Sequence, residues 1–127
     1  MSTPTLVSSP VMAFVATANP AAAKVFYGDT LGLRLLNEDD FALAFDANGT
    51  MLRVQIVETV SPAPYTALGW HVVDAGKVAT ELTAAGVRME RFAGMNQDAR
   101  GVWDAPSGAR IAWFKDPDGN TLSIAEL

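Results

Sequence analysis

The chain has 127 residues, of which 50% are hydrophobic and 18% charged, with a formal net charge of -5 and no cysteine. That mix is too apolar for a disordered chain and suits a single domain over residues 1–127 with a real core. It excludes disulfides, thiolate metal sites and a cysteine nucleophile, and the nine scattered Lys and Arg form no basic stripe for nucleic acid.

The N-terminal stretch "MSTPTLVSSP" has no basic start followed by an apolar block, so no secretory leader is expected. No run of about 18 apolar residues predicts a membrane span, and the expected location is cytoplasmic. The segment "VMAFVATANPAAAKVFYGDTLGLRLL" then reads as a strand, a cap at Asn19 with Pro20 in the first helical position, a helix, a stop at Gly32 and a second strand. Val25 and Phe26 are expected to carry that helix's apolar face. "LRLLNEDD", "FALAFDANG" and "TMLRVQIVETV" continue as strands, with Asn48-Gly49 as a two-residue hairpin turn. Glu38, Asp39 and Asp40 read as a solvated turn. "SPAPY", Ser61 to Tyr65, is too proline-rich for a central strand and reads as a linker.

The pattern then returns. "LGWHVVDAGKVATELTAAGVRME" repeats strand, cap at Asp74, helix, stop at Gly86 and strand, with Val78, Leu82 and Ala85 at helical spacing. "VRMERFAG", a stretch around "GVWDAPSG", "ARIAWFKDPDG" and "NTLSIAEL" follow. An insertion at about Gly94 to Gly108 is expected to form a loop with a short hairpin. Asp116 and Asp118 look like a carboxylate pair, but the turn they form accounts for both. The order β-α-β-β-β thus occurs twice, over about residues 10–60 and 66–127. The fold class is α+β. Each module is a sheet with a helix on one side, and the helix-free sides are expected to face each other across a half-barrel cleft. On the last strand Leu122 and Ile124 pack inward, which turns Ser123 toward the cleft.

This order resembles the vicinal oxygen chelate superfamily, the group of glyoxalase I, extradiol dioxygenases and bleomycin resistance proteins. "FYGDTLGLRLL" and "AWFKDPDGNTLSI" carry the resemblance. It implies a homodimer, and, in metal-dependent members, a divalent ion held by His, Gln or Glu from the first and last strands of each module. Carried onto this chain, those positions fall on Met12, Arg53, Leu68 and Ser123, where Leu68 lies six residues before Asp74. Thioether, guanidinium, alkyl and hydroxyl groups are poor ligands for such an ion, so no metal or other cofactor is expected.

The remaining candidates describe a binding cleft. Arg53 is the strong charge on its strand, and a buried guanidinium needs either a carboxylate or an anionic ligand. Gln55 shares its face, as Phe14 shares that of Met12. Trp70 is placed with Leu68 on the cleft face, Trp113 precedes the "DPDG" turn, and Trp103 in the insertion is a candidate lid. Lys115 belongs at the rim or in solvent. His71, the single histidine, is three residues past Leu68 and is expected to face the helix. The ligand-binding set is Met12, Phe14, Arg53, Gln55, Leu68, Trp70, Trp103, Trp113 and Ser123. The function expected is binding of a small organic molecule, as in resistance-type sequestration without catalysis. A metal-independent isomerase or lyase in the same cleft is the alternative, as is a metal enzyme if the ligand positions are offset.

Overall fold

The computed structural model describes residues 4–127; the first three residues of the stretch read for a leader lie outside it. After a short 3-10 turn at Thr5–Ser8, the first module runs β1 (Met12–Thr17), α1 (Pro20–Lys24), β2 (Arg34–Glu38), β3 (Ala42–Ala47) and β4 (Thr50–Ile56). The second runs β5 (Leu68–His71), α2 (Ala75–Ala84), β6 (Trp103–Asp104), β7 (Arg110–Lys115) and β8 (Thr121–Glu126). Each module forms one four-stranded mixed sheet, ordered β1-β4-β3-β2 and β5-β8-β7-β6. In both, the first strand lies parallel to the last, and the rest of the sheet is antiparallel.

Local chemistry explains the punctuation. The Asn19 side chain accepts a hydrogen bond from the Ala22 N–H at 3.2 Å, and Pro20 occupies the next position. Asp74 does the same for Lys77 at 3.0 Å. Both satisfy donors that a helix start leaves unpaired. Beyond Lys24 the first helix widens over Val25–Thr30 into i→i+5 bonding, closed by Leu31 N–H donating to the Phe26 carbonyl at 2.9 Å. This widening moves the buried face. Tyr27 and Ala23 are fully buried, while Val25 is exposed and Phe26 is only partly covered. In α2 the buried positions are Ala75, Gly76 and Ala79, with Val78 and Leu82 packed beside them.

The second module departs from the strand reading in one place. "VRMERFAG" is not a strand; only Met89 bridges to Phe114. The outer strand of that sheet is the two-residue β6, inside the insertion. Gln97 holds the intervening loop through its side chain, which accepts from Phe92 N–H and donates to the Glu90 and Gly101 carbonyls. A loop built on side-chain bonds leaves no backbone ladder for a longer strand to join.

The helix-facing sides of both sheets share one core. Val15, Leu43, Phe45, Leu52 and Val54 of the first sheet join Ala112, Phe114, Leu122 and Ile124 of the second, with Tyr27 between. Phe26 stands 6.5 Å from Phe114 and Tyr27 stands 6.0 Å from Phe45, ring centre to ring centre.

The turn Asp116–Asn120 fastens this joint. Tyr27 Oη donates to Asp116 Oδ2 at 2.7 Å, and burial, helped by that carboxylate, pushes the phenol's pKa well above its ordinary value. Asp116 also takes two hydrogen bonds from Asn120, one from its backbone N–H and one from its side chain. Asn120 Nδ2 donates in addition to the Ala16 carbonyl at 2.8 Å. Asp118 accepts from the Thr17 hydroxyl and, at 2.9 Å, from the Ala18 N–H. The two carboxylates are therefore more than turn formers: they tie the second module to the end of β1.

Candidate ligand-binding faces

Strand alternation decides what each sheet shows to solvent. On β1, Val15 and Thr17 are buried, so Met12, Phe14 and Ala16 point away from the core. On β4, Leu52 and Val54 are buried, which turns Met51, Arg53 and Gln55 outward. The parallel register sets Met12 beside Met51, Phe14 beside Arg53 and Ala16 beside Gln55. On the other flank, Ala44 neighbours Arg53 and Ala42 neighbours Gln55. The open face of the first sheet is thus one guanidinium and one amide among Phe14, two methionines and small alanines. Phe14 is 50% exposed and Met12 44%.

Arg53 stands apart electrostatically. Among the described residues no carboxylate or carbonyl lies within bonding range of its guanidinium, whereas every other arginine has such a partner: Asp46 for Arg34, Glu90 for Arg88, carbonyls for Arg91, Asp98 for Arg100, and Asp104 for Arg110. Asp39 lies close enough to feel Arg53. Its carboxyl is held below the usual range chiefly by hydrogen bonds from Phe41 and Ala42 N–H, with Arg53 as a smaller cause.

The second sheet corrects part of the sequence reading. Leu68 and Trp70 do not share the face of Ser123. Both pack on the core, Trp70 stacked on Phe114 with ring centres 6.3 Å apart and planes 19° from parallel. Gly69 and His71 take the open face instead. A Cβ built on Gly69 would lie 2.9 Å from Ser123 Oγ, and His71 pairs with Ala125, two residues from Ser123 on the same face. The cause is parity. Val72 and Val73 join β5 to the cap at Asp74 without being strand, so a count back from Asp74 lands one residue out, which in a strand inverts every side chain. His71 accordingly faces away from the helix, opposite to expectation.

Trp113 pairs with Ser123 across β7 and β8 and anchors an aromatic group on the open face. Trp103 lies 6.1 Å from it, and Phe92 meets it edge-on at 5.4 Å. Trp103 is held in this position by the β6–β7 ladder, opposite Ile111. Phe92 was missed in the sequence reading. Its signal was present in "ERFAG", obscured by reading that run as a strand. Beside the group lies a cavity of about 450 Å³ bounded by linker residues Pro62 to Thr66 and by Phe92, Trp113, Lys115 and Thr121. Lys115 sits 3.6 Å from Glu90 at its edge. Because the opposite sides of both sheets meet in one core, the two open faces look outward from it. Arg53 does not line the cavity beside Trp113.

Comparison with known proteins agrees with this architecture. The family model for the Glyoxalase/Bleomycin resistance protein/Dioxygenase superfamily matches residues 9–124. The chain belongs to that superfamily. Among solved structures, a bleomycin-binding protein complexed with bleomycin is similar at TM-score 0.74 and 16% identity, covering 94% of this chain and 98% of that one. A lactoylglutathione lyase from Agrobacterium tumefaciens is similar at TM-score 0.70 and 18% identity, with 93% of each chain covered. A superfamily member from Sphaerobacter thermophilus reaches 0.69 and 21%, covering 94% and 99%. No curated protein sequence matches the chain.

The donor set does not fit the divalent ion that metal-dependent members hold. Met12, Arg53 and Ser123 present a thioether, a fixed cation and a neutral hydroxyl, and the corrected face of β5 adds only Gly69 and a lone His71. Among the described residues no group of three or more His, Cys, Asp or Glu comes together.

Proposed function

We propose that the protein binds a small organic molecule without a metal, as a cytoplasmic homodimer, and sequesters it rather than transforming it. The observation that carries this reading is the cluster of Phe92, Trp103 and Trp113 on the solvent side of a sheet, beside the Ser123 hydroxyl. Aromatic walls with a few polar groups are the usual composition of small-molecule sites, and a soluble surface without a partner rarely groups such side chains. The outward direction of both faces supports dimerisation: a second copy brings the Arg53 face of one chain over the Trp113 face of the other. The similar fold of a protein solved with bleomycin adds support at the level of architecture alone.

A thermal-shift screen of antibiotics and metabolites, bleomycin among them, tests the reading. A ligand at about 100 times its dissociation constant adds roughly 2.7 kcal/mol of stability. Trp113→Ala should abolish that gain while leaving the unliganded protein folded. A chelator-sensitive equivalent of Zn, Fe, Ni or Mn in the purified protein would overturn it. The open-face position of His71 favours one second reading, a metal-independent isomerase or lyase in which Arg53 stabilises a developing anion and His71 carries the proton. Turnover of a stabilising ligand, lost in His71→Gln, would replace sequestration with that reading.

A further inference from the structure

We infer that the ligand is an aryl carboxylate or a close acidic analogue, with its ring on Phe14 and its acid group on Arg53. This inference rests on the binding role proposed above and assigns that site's ligand class.

Three features of the first sheet's open face converge on it. The first is the unpartnered guanidinium of Arg53. It is half-buried at the centre of a sheet face, in a chain whose other arginines all have carboxylate or carbonyl partners. A guanidinium offers five donors in a planar fork that matches a carboxylate through two parallel bonds, and an amine or ketone uses only part of that fork. The second is the balance of hydrogen-bonding groups. Gln55, two residues along the same strand, also lacks a partner within the described residues. The nearest carboxylates are engaged elsewhere: Asp46 with the Gly49 N–H and Arg34, Asp39 with two backbone N–H groups. The guanidinium, which can only donate, is therefore left without an acceptor on this face, and the Gln55 amide beside it is free to donate as well.

The third is the flat apolar surface next to that cation. Phe14 is the register neighbour of Arg53 on β1, and Met12 and Met51 pair beside them. Strands adjacent in a sheet stand about 4.8 Å apart, so a ring lying on Phe14 holds a directly attached carboxylate within reach of the guanidinium. Ala44 and Ala42, on the far side of Arg53 and Gln55, carry no side chain long enough to compete for the fork. A cationic ligand would meet Arg53 as a like charge, and a neutral hydrocarbon would leave its donors unmatched.

The test uses matched probes: 2-naphthoate and 2-naphthamide, which differ in charge but hardly in shape, with inorganic sulfate as a bare-anion control. Calorimetric titration of the wild-type protein should show naphthoate binding about tenfold or more tighter than the amide. Arg53→Gln should bring naphthoate down to the amide's affinity and leave the amide unchanged. Circular dichroism should be unaltered, since the side chain has no internal partner to lose. Equal affinity of acid and amide in wild type, or an acid preference that survives Arg53→Gln, overturns the inference. So does sulfate competing as strongly as naphthoate, which would reduce the site to a charge. A screen hit that loses binding on Trp113→Ala but shows no preference for acid over amide overturns this ligand class and leaves the binding role standing. No binding of either naphthalene probe overturns the class, and a screen with no hit at all removes the binding role as well.

Discussion

Tyr27 shows what one side chain contributes to the joint between the modules. Its ring fills the shared core and its hydroxyl ends on Asp116, a carboxylate already held by Asn120. Tyr27→Phe keeps the packing and deletes one hydrogen bond to a charged acceptor, a loss of about 1.5–3 kcal/mol that chemical denaturation can measure. The same residue predicts a response to alkali. Burial first, and the Asp116 charge second, favour the protonated phenol in the folded state, so its folded-state pKa is raised. The stability this proton confers is complete below the unfolded tyrosine's ordinary pKa of about 10. It falls as pH rises from there toward the folded value. Melting temperature measured from pH 8 to 11 should drop more steeply in wild type than in Tyr27→Phe; parallel curves would refute the assignment. Arg53 is expected to behave in the opposite manner. Arg53→Ala strands no buried anion, because no carboxylate is bonded to the guanidinium, so the unliganded melting temperature should stay within about the range of ordinary surface substitutions, roughly 0.5 kcal/mol.

At the scale of elements, the turn Asp116–Asn120 is the most consequential short segment. Asp118→Ala removes the acceptor for Thr17 and for the Ala18 N–H and should cost about 2–3 kcal/mol in a denaturant titration. Gly119→Ala should add strain of its own, about 1–2 kcal/mol, because its φ of 88° lies in the left-handed region. The sequence made this segment legible as a turn because Pro, Asp, Gly and Asn act locally. It did not show what the turn grips, because Thr17 and Tyr27 are far away in the chain and only tertiary packing brings them there. The same distinction runs through the other elements. The repeated β-α-β-β-β order, both helix caps, the Asn48-Gly49 hairpin and the outward side of β1 and β4 follow from local signals. The face of β5 depended on parity across Val72 and Val73, which local signals do not carry, so Leu68, Trp70 and His71 were all assigned to the wrong side. β6 falls within the stretch around "GVWDAPSG", but a two-residue strand has no periodicity from which its bounds can be read.

For the whole molecule, the decisive fact is that the two sheets share a core and turn their polar and aromatic faces outward. A homodimer is the arrangement we expect, and light scattering at micromolar concentration should report twice the chain mass; a monomer mass would count against it. Subunit mixing tests the cleft itself. If each site takes its Arg53 face from one copy and its Trp113 face from the other, Arg53→Gln and Trp113→Ala homodimers are both impaired. Mixing them equally should restore about a quarter of the sites, since half the dimers are mixed and each of those holds one intact site. Sites built within one chain would gain nothing from mixing.

The side-chain lock between the modules has a further consequence, for chain continuity. Tyr27, Thr17 and Asn120 join the halves through bonds that do not involve the linker, and residues 61–65 lie at the surface. The peptide there acts as a tether that raises local concentration more than as a part of the architecture. Two separately expressed pieces, cut within the Pro62–Pro64 stretch, should therefore find each other and rebuild the fold. Coexpression with a tag on one piece and recovery of the other would show it, and Asp118→Ala in the second piece should abolish the recovery. A molecule assembled this way could be made dependent on two simultaneous inputs, one for each piece.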